Sequence, residues 1–319
     1  MEHEIAGQAV KAAMDGALVG TADRKKEPMT GKKALKAMER VMNALFFICG
    51  MVAVAFVLLI SIYLIISGLL AILEIGPINF LFGTRWYAST GDFGIFAIIL
   101  TSIAGTAGAI LIGVPIGLMT AIFLAKLAPP RAAAVIRTAV QLLAGIPSVV
   151  YGLVGMIVLV PLIRTTFSLG SGACLLAAIL VLSIMVLPSI INVSETALRA
   201  VPREYEEASL ALGATAAETY FRVSLHAARS GVATAVVLGV GRAIGEAMAI
   251  IMVAGNVANM PGLFRSVRFL TTGIISGMSY APVGSLYQQA LFSIGLVLFL
   301  FIMLINVFLN VFIKKRKED

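Results

Sequence analysis

Long uncharged runs alternate along this chain with short segments in which the charges collect. The uncharged runs cover 44–73, 94–125, 138–163, 168–193 and 288–313, and a further apolar run over 231–255 holds two charges, Arg242 and Glu246. About 20 apolar residues in a helix cross the hydrocarbon core of a bilayer. The pattern therefore predicts six membrane-spanning helices in an all-α polytopic bundle. Each run exceeds the minimum length, so tilt or interfacial extension is expected.

The placement of Lys and Arg gives the spans a direction. Eight precede the first run, three lie between the second and third, four between the fourth and fifth, and four follow the sixth. The other side carries Arg85, Arg164, Arg265 and Arg268. Cytoplasmic loops hold the excess of basic residues, so both termini are expected in the cytoplasm, in a multi-pass protein of the plasma or inner membrane. The net charge of +8 is then spent on anchors beside anionic lipid and predicts no nucleic-acid partner.

Composition narrows the class further. Hydrophobic residues make up 60% of the 319 and charged residues 13%, about half the charged share of an ordinary soluble domain. Cys49 and Cys174 lie in apolar runs and are expected as small buried hydrophobes. The two histidines, His3 and His226, are too far apart for a metal site, and none is expected. The division expected is an N-terminal cytoplasmic extension over 1–40 and a transmembrane domain over 41–319. Residues 29–40 are basic and form either an amphipathic helix at the membrane surface or a flexible tail.

Small residues punctuate the spans. Gly105, Gly108, Gly113 and Gly117 lie in the second run with Pro115, and Gly145, Gly152 and Gly155 in the third with Pro147. Glycine lets membrane helices approach closely, and a proline inside a span bends it or interrupts it where neighbours satisfy the freed backbone. A tightly packed bundle with irregular segments is expected.

The segment 194–230 is the most informative polar stretch. Pro202 suits the first turn of a helix, and Gly213 interrupts the helical pattern that follows. Thr215 and Glu218 have the spacing of a capping box that starts a second short helix. Two short helices joined at Gly213 predict a compact knob. Glu207-Ala208-Ser209 followed by Gly213, Val223 and Leu225 resembles the EAA coupling loop of ABC-importer permeases. The resemblance implies that Glu206, Glu207, Ala208, Ser209, Leu212, Gly213, Ala214 and Thr215 dock on an ATPase. Ser209 stands where that family usually has Ala, and His226 where it usually has Pro.

Two further strings sharpen the resemblance. Residues 142–152 (LLAGIPSVVYG) and 239–249 (GVGRAIGEAMA) look like signatures of the PstC-type permease of phosphate ABC importers. Ala254-Gly255-Asn256 and the run 290–299 fit the same type. The resemblance covers about residues 93–312. It implies the type I importer-permease fold and a role as half of a phosphate path. The implied partners are a PstA-like second permease, a PstB-like ATPase dimer and a PstS-like binding protein. Around 271–277 the related proteins usually carry an acidic residue where this chain has Gly277.

Arg242 and Glu246, spaced i,i+4, share one face of a continuous helix and can pair. Charges within a span face protein or water, and the arginine fork suits phosphate oxygens. The pair either lines the path or serves as a structural ion pair. The resemblance places such a pair in the path. Ser148, Tyr151 and Asn256 are further path candidates, each equally able to bridge helices. Arg265 and Arg268 either attract anions, meet a binding protein, or are simply solvated. No G-x-x-x-x-G-K-[ST] string occurs, so no catalytic residue and no bound cofactor are expected, and ATP is expected to be used by a separate subunit. A permease for sulfate, molybdate or tungstate, a secondary transporter and a nontransporting scaffold are the other readings.

Overall fold

The computed structural model describes residues 29–315. Residues 1–28 of the expected 1–40 extension lie outside the described residues. Helix α1 is Met29–Ile75, and its first three turns run straight into the span with no break at 40. The apolar side chains of α1 from Met38 to Ile60 are exposed. Cys49 is among these exposed positions, so the expected burial holds for Cys174 and not for Cys49. An apolar, exposed helix of this length is what lipid solvates.

Gly76 turns the chain at φ 93° into α2, Pro77–Phe82. A two-stranded antiparallel hairpin follows, β1 Trp86–Tyr87 and β2 Asp92–Phe93, with Trp86 opposite Phe93. Helix α3 is Phe96–Ile122 and continues through a π-helical turn at Phe123–Leu127. Helix α4 is Pro130–Gly145. Helix α5, Ser148–Val154, passes through a second π-helical turn at Gly155–Leu159 into α6, Val160–Thr166. Helix α7 is Leu175–Arg199.

Beyond it come α8, Arg203–Ala211, then α9, Ala216–Glu218, a π-helical turn Thr219–Ser224 and α10, Leu225–Ala227. Helix α11 is Arg229–Gly245, α12 is Met248–Val253, α13 is Leu270–Met278 and α14 is Leu286–Lys315. Among the described residues five stretches are long and apolar enough to cross a membrane, and up to six if the bent pair Ala216–Ala227 and Arg229–Gly245 counts as one span.

Three expected spans have other bounds. The third does not run from 138: α4 ends at Gly145, Ile146 is extended at ψ 126°, and the span begins at Ser148. Pro147 is the reason, since the helical region is disfavoured for the residue before a proline. The fourth begins at Leu175, after the left-handed Ser168 at φ 51° and the extended Cys174 at ψ 175°, and it ends at Arg199. The connecting segment therefore starts at Ala200 and not at 194. The fifth is broken after Gly245, where Glu246 is extended at ψ 133°.

Helix α7 is the centre of the bundle, packed against α3, α11 and α12. Its inner residues Leu182, Met185, Val186 and Ile190 are buried. The glycines of α3 are the contact surface. A Cβ at Gly108, Gly113 or Gly117 would stand 2.7, 2.6 and 2.7 Å from Ile179, Val186 and Ile190 of α7. A Cβ at Gly105 would stand 2.3 Å from the Phe269 ring. The expected role of these glycines in close helix approach is what the packing requires.

Gly113→Leu is therefore expected to destabilise the bundle by about 1–3 kcal/mol through overpacking. Leu111→Ala, at a position 77% exposed, is expected to change little. Thermal melts of the two variants in one detergent compare them, and equal melting temperatures would contradict this packing.

Candidate functional site

The knob is built by local signals. Pro202 is the N-cap residue of α8 rather than its first helical residue. Glu204 and Glu206 sit in the first turn, where the helix dipole favours negative charge. Gly213 takes φ 87°. Its N–H donates to the Leu210 carbonyl at 3.0 Å, and the Ala214 N–H donates to the Ser209 carbonyl at 3.2 Å. This pair of bonds is a Schellman close, which needs a residue without a Cβ at the left-handed position.

Thr215 then caps the next helix. Its hydroxyl accepts from the Glu218 N–H at 3.3 Å, while Glu218 Oε2 accepts from the Thr215 N–H at 3.0 Å. Ser209 Oγ lies 2.9 Å from Thr219 Oγ1, so the hydroxyl at this position ties α8 to the helix after it. Glu207 and Ala208 lie on the exposed outside of α8. Leu212 is 89% exposed at the tip, and Tyr205 and Leu210 are exposed on the same short helix. At Ala228 the chain bends by 75° from the knob into α11.

Polar contacts fasten the knob to the bundle. Lys126, in the π-helical turn that ends α3, forms an ion pair with Glu206 of α8. The Ser224 hydroxyl donates to the same Glu206 Oε1 at 2.7 Å. Nearby, buried Glu195 of α7 accepts from Arg137 Nη2 of α4 at 2.7 Å and from Arg199 Nε at 2.8 Å. Arg199 Nη2 donates to the Leu124 carbonyl at 2.9 Å. Sequence reasoning singled out Glu206 but missed Lys126, Glu195, Arg137 and Arg199. The only signal was an acid and a base spaced i,i+4 at the end of α7, and neither long-range partner is visible in spacing.

The break in the fifth span changes the Arg242–Glu246 pair. Glu246 is not one turn further along α11. It sits in the break, and its Oε1 accepts from the Ala247 and Ala249 N–H groups at 3.2 and 3.0 Å. It thereby caps α12, satisfying donors that helix starts leave free. The Thr271 hydroxyl of α13 donates to the Glu246 carbonyl at 2.7 Å. Arg242 is exposed on the surface of this chain in the last turn of α11. Among the described residues it makes no ion pair with Glu246 or any other acid.

The remaining candidates separate. Tyr151 donates to the Leu143 carbonyl at 2.8 Å, bridging the break at Pro147. Ser148 opens α5 half-buried. A Cβ at Gly152 of α5 would stand 2.8 Å from the Ala249 Cα of α12, so the strings 142–152 and 239–249 meet in space. Asn256 does not join them. It lies beyond α12 at φ 54° and accepts from Arg268. A Cβ at Gly277 would be 2.6 Å from Leu291 Cδ2 and 2.8 Å from the Tyr287 hydroxyl, so a side chain there requires the ends of those two side chains to shift.

Residues 113–318 match the family described as binding-protein-dependent transport system inner membrane component. The chain is 41% identical over 267 residues to the probable ABC transporter permease protein YqgH of Bacillus subtilis, covering 81% of this chain and 86% of that one. It is 35% identical over 247 residues to the phosphate transport system permease protein PstC of Mesorhizobium japonicum, covering 71% and 75%. Among solved structures it shares its fold with a bacterial alginate ABC transporter (TM-score 0.59, 16% identity, 86% of this chain and 95% of that one). It also shares it with the inward-facing MetNI methionine ABC transporter (TM-score 0.52, 22% identity, 67% and 92%).

The capping box has a pH signature. Its hydrogen bonds to Thr215 hold the Glu218 carboxyl below the usual carboxylate range. A lowered folded-state value means that the stabilisation is present above the unfolded pKa of about 4.3 and is lost as pH falls through the folded value. Hydrogen exchange of the Ala216–Ala227 amides is expected to lose relative protection across that acid range. Glu218→Gln should flatten the dependence, and an unchanged profile would count against the cap.

Proposed function

The chain belongs to the binding-protein-dependent transport system inner membrane components, the permease subunits of ABC importers, and from that premise we propose that it forms half of the translocation path for inorganic phosphate. Family membership implies a separate ATPase and a substrate-binding protein. We take these to be PstB-like and PstS-like, with a PstA-like chain as the second permease half. Both termini and the knob then lie in the cytoplasm.

One observation carries the phosphate reading: Arg242, within the fifth span, has no acidic partner among the described residues. An uncompensated guanidinium at membrane depth is costly. Its place in the last turn of α11 beside the exposed carbonyls lowers that cost without supplying a counter-charge. The counter-charge that fits a planar donor fork is an oxyanion held in the path between the two permease halves. The relatives named phosphate permeases support the same cargo. Glu246 Oε1 is engaged by backbone N–H groups, which leaves Oε2 available to accept a hydrogen bond from a protonated phosphate. Sulfate, fully deprotonated, offers no such donor.

Coupling follows from the knob. Exposed Leu212, Tyr205 and Leu210 give α8 an apolar tip suited to a groove on the ATPase. A displacement of α8 passes through Glu206 and Lys126 to α3, and around the 75° bend to α11, which carries Arg242. Rigid elements with polar joints transmit such a motion as rigid bodies. Accumulation needs ATP because the membrane potential opposes an entering anion by about 2.3 kcal/mol per charge at 100 mV.

In vesicles holding the assembled importer, Arg242→Gln is expected to cut ATP-dependent phosphate accumulation by about tenfold or more, the loss of one charge-assisted contact. Phosphate is expected to compete better than sulfate, molybdate or tungstate. Unchanged accumulation would remove Arg242 from the path, and preference for another oxyanion would reassign the cargo. Leu212→Glu is expected to leave the chain folded and abolish binding-protein-stimulated ATP hydrolysis. Full stimulation in that variant would rule out docking through the tip.

A further inference from the structure

At the end of the bundle opposite the knob, three segments converge: the hairpin before α3, the loop between α12 and α13, and the start of α14. The loop is held by α7. That helix has no side-chain N-cap, and its free N–H groups are taken by the loop. Cys174, Leu175 and Leu176 donate to the carbonyls of Val253, Arg265 and Leu263 at 3.1, 3.1 and 2.9 Å. The Ser266 hydroxyl donates to the Ala173 carbonyl at 2.7 Å. The backbone that carries Arg265 and Arg268 is therefore pinned to the central helix.

Between these segments lies a cavity of about 650 Å³ lined by Arg85, Arg265 and Arg268, with Trp86, Asn256 and Asn259 in its wall. No carboxylate lines it. Asp92, on the neighbouring strand, accepts a hydrogen bond from Thr90 at 2.9 Å. None of the three arginines forms an ion pair among the described residues. Arg268 is fixed in place, with Nε 3.1 Å from both the carbonyl and Oδ1 of Asn256 and Nη2 2.8 Å from that carbonyl. Its Nη1 makes no hydrogen bond among the described residues. Arg85 and Arg265 are exposed to the cavity.

Three like charges kept together in a concave site repel one another, and a cleft of one sign focuses its field on a small counter-ion. The donor set suits a phosphate oxyanion, and Trp86, packed on Phe93 at 5.4 Å, gives the cavity a rigid apolar wall. We infer that this cavity is a second oxyanion site, separate from Arg242, which holds phosphate at the extracytoplasmic mouth before the path opens. The inference rests on the phosphate-permease reading for its cargo and its orientation. The rest of its basis is local: charge, concavity and a fixed backbone.

The chain has a single tryptophan, and it lines the cavity, so its emission reports occupancy directly. The full-length chain in nanodiscs of neutral phosphatidylcholine is titrated with inorganic phosphate. A saturable emission change is expected in the wild type. Arg85→Gln with Arg265→Gln is expected to weaken it about tenfold or more, and Arg265→Lys, which keeps charge and loses the fork, to weaken it less. Both side chains are exposed, so these variants keep the fold. Arg242→Gln should titrate like the wild type. No saturable change in the wild type, or an unaltered titration in the double variant, overturns the inference. So does an emission change that appears with phosphatidylglycerol nanodiscs and not with phosphate, which would assign the cavity to lipid. A double variant that titrates normally but loses stimulation by the binding protein overturns it in favour of a docking surface. Should transport assays show a different oxyanion as cargo while the Trp86 titration behaves as stated, the cargo reading fails and the site stands.

Discussion

Inside a bilayer no water is available to a broken backbone, so each place where a helix stops must bring its own hydrogen-bond partners. The layout of this protein follows from how three such breaks are closed. At Pro147 the Tyr151 hydroxyl returns to the Leu143 carbonyl. At Glu246 the carboxylate takes the N–H groups that open α12, and Thr271 takes the carbonyl. At Cys174 the carbonyls of Val253, Arg265 and Leu263 close the start of α7. Each repair also joins two segments distant in sequence, and so positions the residues proposed to handle the anion.

Closing the second break separates two charges that spacing alone puts together. Once Glu246 is committed to the backbone, Arg242 has no acidic partner among the described residues. A charge left uncompensated at that depth calls for a ligand or a neighbouring subunit. The outer cavity shows the same logic, with three arginines held close by loop backbone that is itself held by α7. Half-helices meeting near the middle of a membrane, with their ends turned to charged groups, recur where ions cross.

The knob works through a different economy of contacts. Its shape is local: Pro202 starts α8, Gly213 ends it, and the Thr215–Glu218 box starts the next helix. Its attachment is not. Glu206 reaches Lys126, 80 positions earlier in the chain, and Ser224 meets the same carboxylate. A knob with polar joints to α3 and a bent junction to α11 is attached to two different spans, as the proposed coupling role requires.

The number of spans, their approximate limits, the close-packing glycines of α3 and both caps of the knob were all legible in the residues. These features depend on hydrophobic run length, the absence of a Cβ and neighbours three or four positions away, which are properties of the chain itself. The Glu195 cluster, the Lys126–Glu206 joint, the exposure of Cys49 and the gathering of Arg85 with Arg265 and Arg268 were not. Each depends on which distant segment packs alongside, and no periodicity records that. The crossing of the membrane was thus set by local sequence. Which charges were paired, and which were left without an acidic partner among the described residues, was decided only when the broken helices found tertiary partners for their unsatisfied backbone groups.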